Sequence, residues 1–244
     1  MNNYEKNFPV GIDDFEKLRK ENYYYIDKTV MIRDLLKSPA EVTLFTRPRR
    51  FGKSLNMSML ENFFSVEGDK SIFDGLTIAG ENALCEKHMG KYPVISFSLK
   101  NLDAASDFRT AKELMECLVQ GAARKAQYLS ESSNLSEADK EVYAHLLYNK
   151  MNEGELLGGF RILCELLEKH HGQKTVVLID EYDVPLAKAF ERDFYDQMVN
   201  MIRGILGQVL KTNNSLQFAV LTGCMRISKE SIFTGLNNFT VFSC

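Results

Sequence analysis

The chain has 244 residues, 45% of them hydrophobic and 26% charged, which suits one large or two small globular domains and excludes a disordered segment. Its 30 basic and 33 acidic side chains leave a formal charge of −3, which excludes coating nucleic acid by bulk charge and leaves only a local basic patch open. No apolar run reaches the roughly 20 residues that span a bilayer, and the start MNNYEKNFPVG lacks the basic and apolar regions of a signal peptide. The five cysteines are widely spaced, with no C-x-x-C pair, so they read as buried or incidental thiols of a cytoplasmic protein.

Along the chain, Val42–Thr46 is a β-branched and aromatic run of strand length, followed at once by RPRRFGKS. Ser54–Phe64 then places Leu55, Met59, Leu60 and Phe63 at helical spacing. Pro93–Leu99 alternates apolar and small polar residues, as a strand does. Asp107–Leu129 predicts a helix with Phe108, Ala111, Met115, Leu118 and Ala122 near one face. Ser136 predicts the N-cap of another helix ending near Asn149. Gly154–His171 is helical again, with His170 and His171 as its polar end. Thr175–Ile179 is a continuous apolar run, the pattern of a strand buried on both faces of a parallel sheet. Asp193–Leu210 predicts a further helix and Leu216–Leu221 a further strand. Strands alternating with helices predict an α/β fold with a mainly parallel sheet, and residues 103–171 form a mostly helical region within it.

Three strand ends carry chemistry. The first is Gly52-Lys53-Ser54, which follows a strand and opens a helix. The amides and dipole of a helix N-terminus favour an anion. Lys53 would reach terminal phosphates and the Ser54 hydroxyl would ligate Mg²⁺. The full motif G-x-x-x-x-G-K-[ST] asks for glycine where Arg47 stands, so this turn is built either without a positive φ there or with strain of about 1 kcal/mol or more. Pro48 biases Arg47 toward extended geometry. Arg47, Arg49 and Arg50 either add charge near the phosphates or point to solvent.

The second end is Val176 to Glu181, four apolar residues and then two carboxylates. Adjacent acids repel, and a divalent cation removes that objection. Asp180 would join Ser54 around Mg²⁺, and Glu181 would act as general base toward water. Asp183 reads as a loop or helix-capping residue. The third end is Thr222-Gly223-Cys224-Met225-Arg226. There Thr222 would position the attacking water and Arg226 would stabilise charge on the transferred group; the alternative is an ordinary turn with a solvated arginine.

Five segments together, F-P-V-G-I-D-D-F (Phe8 to Phe15), Y-Y-I-D-K-T (Tyr24 to Thr29), F-T-R-P-R-R-F-G-K-S-L (Phe45 to Leu55), V-L-I-D-E-Y-D (Val177 to Asp183) and T-G-C-M-R-I-S-K-E-S-I-F-T-G-L-N-N (Thr222 to Asn238), resemble the bacterial AAA-ATPase-like family, whose members often carry a C-terminal nuclease-like domain of the PD-(D/E)XK type. The resemblance covers nearly the whole chain. It implies a P-loop NTPase fold, three-layer α/β/α, with an extra strand between the two Walker strands, and ATP and Mg²⁺ as ligands. Position by position it implies nucleotide binding by Arg49, Arg50, Phe51, Gly52, Lys53, Ser54 and Leu55. It implies Mg²⁺ at Ser54 and Asp180, and catalytic roles for Lys53, Glu181, Thr222 and Arg226. The R-P-R-R-F form is typical of the family, so Arg47 in place of glycine is no mark of decay. Tyr25, by the same resemblance, flanks the nucleotide pocket and would stack on the base, against the alternative of a core aromatic.

Family members usually continue into a helical lid and then the nuclease-like domain, so residues 1–244 correspond to the P-loop domain alone. An exposed nucleotide would make for slow or partner-dependent hydrolysis. The expected function is therefore slow Mg²⁺-dependent ATP hydrolysis as a switch or regulatory module. The alternatives are a nucleotide-sensing scaffold that never hydrolyses and signals through a protein partner, and a nucleic-acid-associated module suggested by the RPRR cluster. A homo-oligomer stays open, and no membrane partner is expected.

Overall fold

A computed structural model describes residues 7–37, 40–224 and 239–243. Two compact units emerge: Met1–Pro39 with Arg49–Val94, and Ala40–Pro48 with Ile95–Cys244.

The first unit is built on short helices. In α1 (Phe15–Lys20), the Asp14 side chain caps the helix by accepting from the Lys17 amide, and Phe15 and Leu18 are buried. In α2 (Val30–Lys37) the buried residues are Ile32 and Leu35. The central element is α3 (Lys53–Phe64), which buries Met57, Met59, Leu60, Phe63 and Phe64. Phe73 lies 5.3 Å in ring-centroid distance from both Phe15 and Phe63, so one aromatic cluster joins α1, α3 and the 3₁₀ turn Lys70–Phe73. Two polar ties fix the same packing: the Phe15 amide donates to Ser58 Oγ, and the Arg19 guanidinium donates to the carbonyls of Ile72 and Asp74. A last helix, α4 (Asn82–His88), precedes the return of the chain, where Ser65 bridges Tyr92.

The second unit carries the sheet: β1 (Val42–Thr46), β2 (Val94–Ser98), β3 (Thr175–Asp180), β4 (Leu216–Gly223) and β5 (Phe239–Ser243), in the order β2-β3-β4-β1-β5. The pairs β1–β4, β1–β5 and β3–β4 are parallel, with Leu44 opposite Leu221 and Ile179 opposite that same Leu221. Strand β4 thus lies between the strand that leads to Gly52-Lys53-Ser54 and the strand that ends in the two acids, as expected for an extra strand between them. All six residues of β3 are buried. One face of the sheet, with Val42, Leu44, Val177, Ile179, Ala219 and Leu221, belongs to the same apolar cluster as the helices that follow. The alternate residues Val176, Leu178 and Val220 are buried as well, which is why the pattern of β3 is continuous rather than alternating.

The helices of this unit are α5 (Phe108–Lys125), α6 (Glu137–Leu147), α7 (Glu153–His171), α8 (Val184–Glu191) and α9 (Tyr195–Leu210). Reciprocal caps start two of them: Ser136 with Asp139 for α6, and Asn152 with Glu155 for α7. The Phe97 and Phe160 rings stack at 3.9 Å, joining β2 to α7. Helix α5 is shorter than its pattern. It ends at Lys125 and gives way to a 3₁₀ turn, Gln127–Glu131. Across from this end, the buried Tyr143 hydroxyl donates to the carbonyls of Ala123 and Ala126, at 2.7 and 2.9 Å. Those carbonyls are thereby satisfied without another helical turn.

Candidate functional site

In the first unit, α3 begins at Lys53 directly after Gly52, which sits in the left-handed region at φ 74° and offers no side-chain cap. Glycine bears this geometry without penalty. The first turn of α3 contains no acidic residue, so no side chain of that turn repels an anion at its mouth. Lys53 is only 8% exposed, whereas Arg49 and Arg50 are exposed, Phe51 is 60% exposed, and Ser54 and Leu55 are half-buried. Arg50, at φ 68°, is the second left-handed residue of the loop, at a cost of about 1 kcal/mol. Arg47 is not left-handed. In the second unit its amide donates to the Gly223 carbonyl at 3.1 Å, extending the β1–β4 ladder. The turn is therefore built without a positive φ at the position where the motif asks for glycine.

The segment from Tyr24 to Thr29 is held mainly by one carboxylate. Asp27 Oδ1 accepts from the Thr29 amide and hydroxyl at 2.8 and 2.7 Å, and Oδ2 accepts from the Thr77 amide and hydroxyl, both at 2.7 Å. Burial works to raise the pKa of Asp27, but the bonds from Thr77 and Thr29 overcome it and hold the pKa at about 2. Thr29 is buried, and its hydroxyl accepts in turn from the Ile78 amide. Tyr25 packs edge-on to Phe15 at 5.3 Å, donates to Met59 Sδ and accepts from the Lys28 amide. Burial pushes its phenol pKa up. The Lys28 ammonium stands 3.5 Å from the point where a Cβ on Gly52 would lie.

In the second unit the ends of β3 and β4 are locked together. Asp180, 8% exposed, receives a hydrogen bond from the hydroxyl of Thr222, which is 2% exposed. The Glu181 amide donates to the same Asp180 oxygen at 3.0 Å, and the Tyr182 amide donates to the Thr222 carbonyl at 3.1 Å. Asp183 stands at the N-cap position of α8, yet its carboxylate accepts from the Cys224 amide at 2.9 Å instead of capping that helix. A Cβ on Gly223 would lie 2.5 Å from the buried Tyr182 ring and 2.9 Å from Asp183 Oδ1, so only glycine fits. Glu181 itself is half-buried and left-handed at φ 55°. Strain of this kind persists where neighbours over-determine it, and here they do.

The structure thus brings Asp180, Glu181 and Thr222 together, and within the first unit it sets Tyr25 beside α3, the helix that Lys53 opens. Arg226 lies outside the described residues. Sequence reasoning did not assign Lys28, the clamp at Asp27 or the bond from Thr222 to Asp180. The Y-Y-I-D-K-T motif was the available signal for the first two.

The donor sets fit a nucleotide and a hard cation. A buried lysine that opens a helix with no first-turn acid suits a phosphate, and two consecutive carboxylates on a strand tip suit Mg²⁺. Among the described residues no group of three or more His, Cys, Asp or Glu side chains could hold a metal. Among the same residues no helix is long and apolar enough to cross a membrane.

Comparison with known proteins agrees with this fold. The model of the family described as "Predicted AAA-ATPase" matches residues 9–233. The chain is also similar to an uncharacterized protein in the vnfD 5′ region of Azotobacter chroococcum mcd 1, with 28% identity over 235 residues, 96% of this chain. It spans 40% of the length of that relative. No solved structure matches.

Proposed function

Because the chain belongs to the AAA-ATPase-like family, we propose that it binds ATP with Mg²⁺ and hydrolyses it slowly, as a switch or regulatory module. The observation that carries this reading is Lys53. A lysine at the first position of a helix works against the helix dipole, and this one is also almost fully buried. An anion at the helix mouth offsets the unfavourable dipole, and a polyphosphate supplies one.

In this reading Lys53 and the α3 amides hold the β- and γ-phosphates, with Arg49 and Arg50 adding positive charge from the loop. By the sequence motifs, Ser54 and Asp180 would be the residues that hold Mg²⁺. Mg²⁺, when bound, neutralises charge on the phosphate oxygens. Thr222 fixes the orientation of Asp180 through the bond already described, so it acts by positioning. Glu181 takes the proton of the attacking water.

Release of labelled phosphate from ATP tests the proposal. Wild-type protein should turn over only with Mg²⁺, toward or below the lower end of the roughly 1–1000 s⁻¹ typical of enzymes. Glu181→Gln should lose about 10²- to 10⁴-fold of that rate while still binding ATP. Equal turnover in the two proteins would remove Glu181 from the mechanism. ATP binding without any phosphate release by the wild type would make the protein a sensor that does not hydrolyse.

A further inference from the structure

Four hydrogen bonds converge on Asp27, a fifth joins Thr29 to Ile78, and a sixth ties the Lys28 amide to Tyr25. Every one of them fixes the backbone on either side of Lys28, whose own side chain is exposed. A surface lysine needs no such mount. Its ammonium ends against the bare face of Gly52, at ordinary contact distance from where a Cβ would stand, and Gly52 directly precedes Lys53. Among the described residues Lys28 forms no ion pair. The Lys28 ammonium is therefore carried to the mouth of the helix that Lys53 opens, whose dipole is already positive there and whose first turn holds no acid. A multiply charged anion offsets such a gathering of positive charge.

We propose that Lys28 is a second cationic ligand of the nucleotide's phosphate chain, mounted by Asp27 and Thr29 and admitted by the missing side chain of Gly52. This rests on the ATP-binding reading above and adds to it a residue that recognises the phosphates and not the base. The glycine has two physical reasons here: its left-handed φ, and the room it leaves for the ammonium beside it.

The test is titration calorimetry of the whole chain with Mg·ATP and, separately, with inorganic triphosphate and Mg²⁺, for wild type, Lys28→Gln and Lys28→Arg. Lys28→Gln keeps the length and removes the charge. It should weaken both ligands by a similar factor, roughly tenfold to a hundredfold, and flatten the salt dependence of binding. Lys28→Arg should recover part of the affinity. The melting temperature without ligand should not move, since the side chain is exposed. Wild-type affinity in Lys28→Gln overturns the proposal and leaves the ATP-binding reading intact. So does a loss confined to ATP, because Lys28 would then read the base or ribose. Failure of the wild type to bind either ligand overturns the ATP-binding reading itself.

Discussion

The segment around Asp27 and the strand tip around Asp180 solve the same problem in opposite surroundings. In both, threonine hydroxyls donate to an aspartate and the next residue is the one with chemistry to offer: Lys28 in the first, Glu181 in the second. The first carboxylate belongs to an exposed residue and takes four donors from two short segments. The second is nearly dry and stands on a strand whose six residues are all buried. An exposed mount is made by counting bonds, whereas a buried one is made by exclusion of water and by the sheet itself. The two should therefore fail differently when a partner is removed.

The buried mount should be the more costly to break. Thr222→Val keeps the shape and removes the donor, leaving an Asp180 oxygen short of a partner in a dry place. About 1–3 kcal/mol of stability should be lost, read from urea unfolding, and Thr222→Ser should keep most of it. A valine variant as stable as the wild type would mean that the hydrogen bond does not hold Asp180.

A smaller effect belongs to the exposed mount. The folded pKa of Asp27, about 2, is below the roughly 3.9 of an unfolded aspartate. Its contribution is present above about pH 4 and is lost as pH falls toward 2. Solvent screening keeps it below about 1 kcal/mol. The unfolding midpoints of wild type and Asp27→Asn should differ at pH 7 and draw together near pH 2. A gap that stays constant with pH would show that the charge of Asp27 is not what the threonines hold.

What the sequence revealed of all this depended on the range of the interactions. Val42–Thr46 reads as a strand because β-branched and aromatic residues in an unbroken run have few other homes, and β3 and β4 follow for the same reason, each slightly longer than its apolar run. The acids at the end of β3, Asp180 and Glu181, are visible because a buried strand has no use for them. Helix α5 was read too long because its stop comes from Tyr143, which is 20 residues from Ala123 in sequence. The short helices α1, α2, α4 and α8 offer too few turns for a periodicity to show. Asp27 and Thr77 are 50 residues apart, so the Y-Y-I-D-K-T motif marks the segment without revealing the partner that completes the clamp or the role of Lys28. The backbone of the loop was equally hidden: extended geometry at Arg47 follows from Pro48, but nothing in RPRRFGKS singles out Arg50 as the left-handed residue.

Thermal unfolding with and without nucleotide tests the central claim most directly, in wild type and in Lys53→Ala, with excess Mg²⁺ and ATP. At one hundred times its dissociation constant the ligand should stabilise the wild type by about 2.7 kcal/mol, a rise of about 5–10 °C for a chain of this size, and Lys53→Ala should show none of it. A rise of equal size in Lys53→Ala, or no rise in the wild type at saturating ATP, would contradict the claim that this helix mouth holds the phosphates.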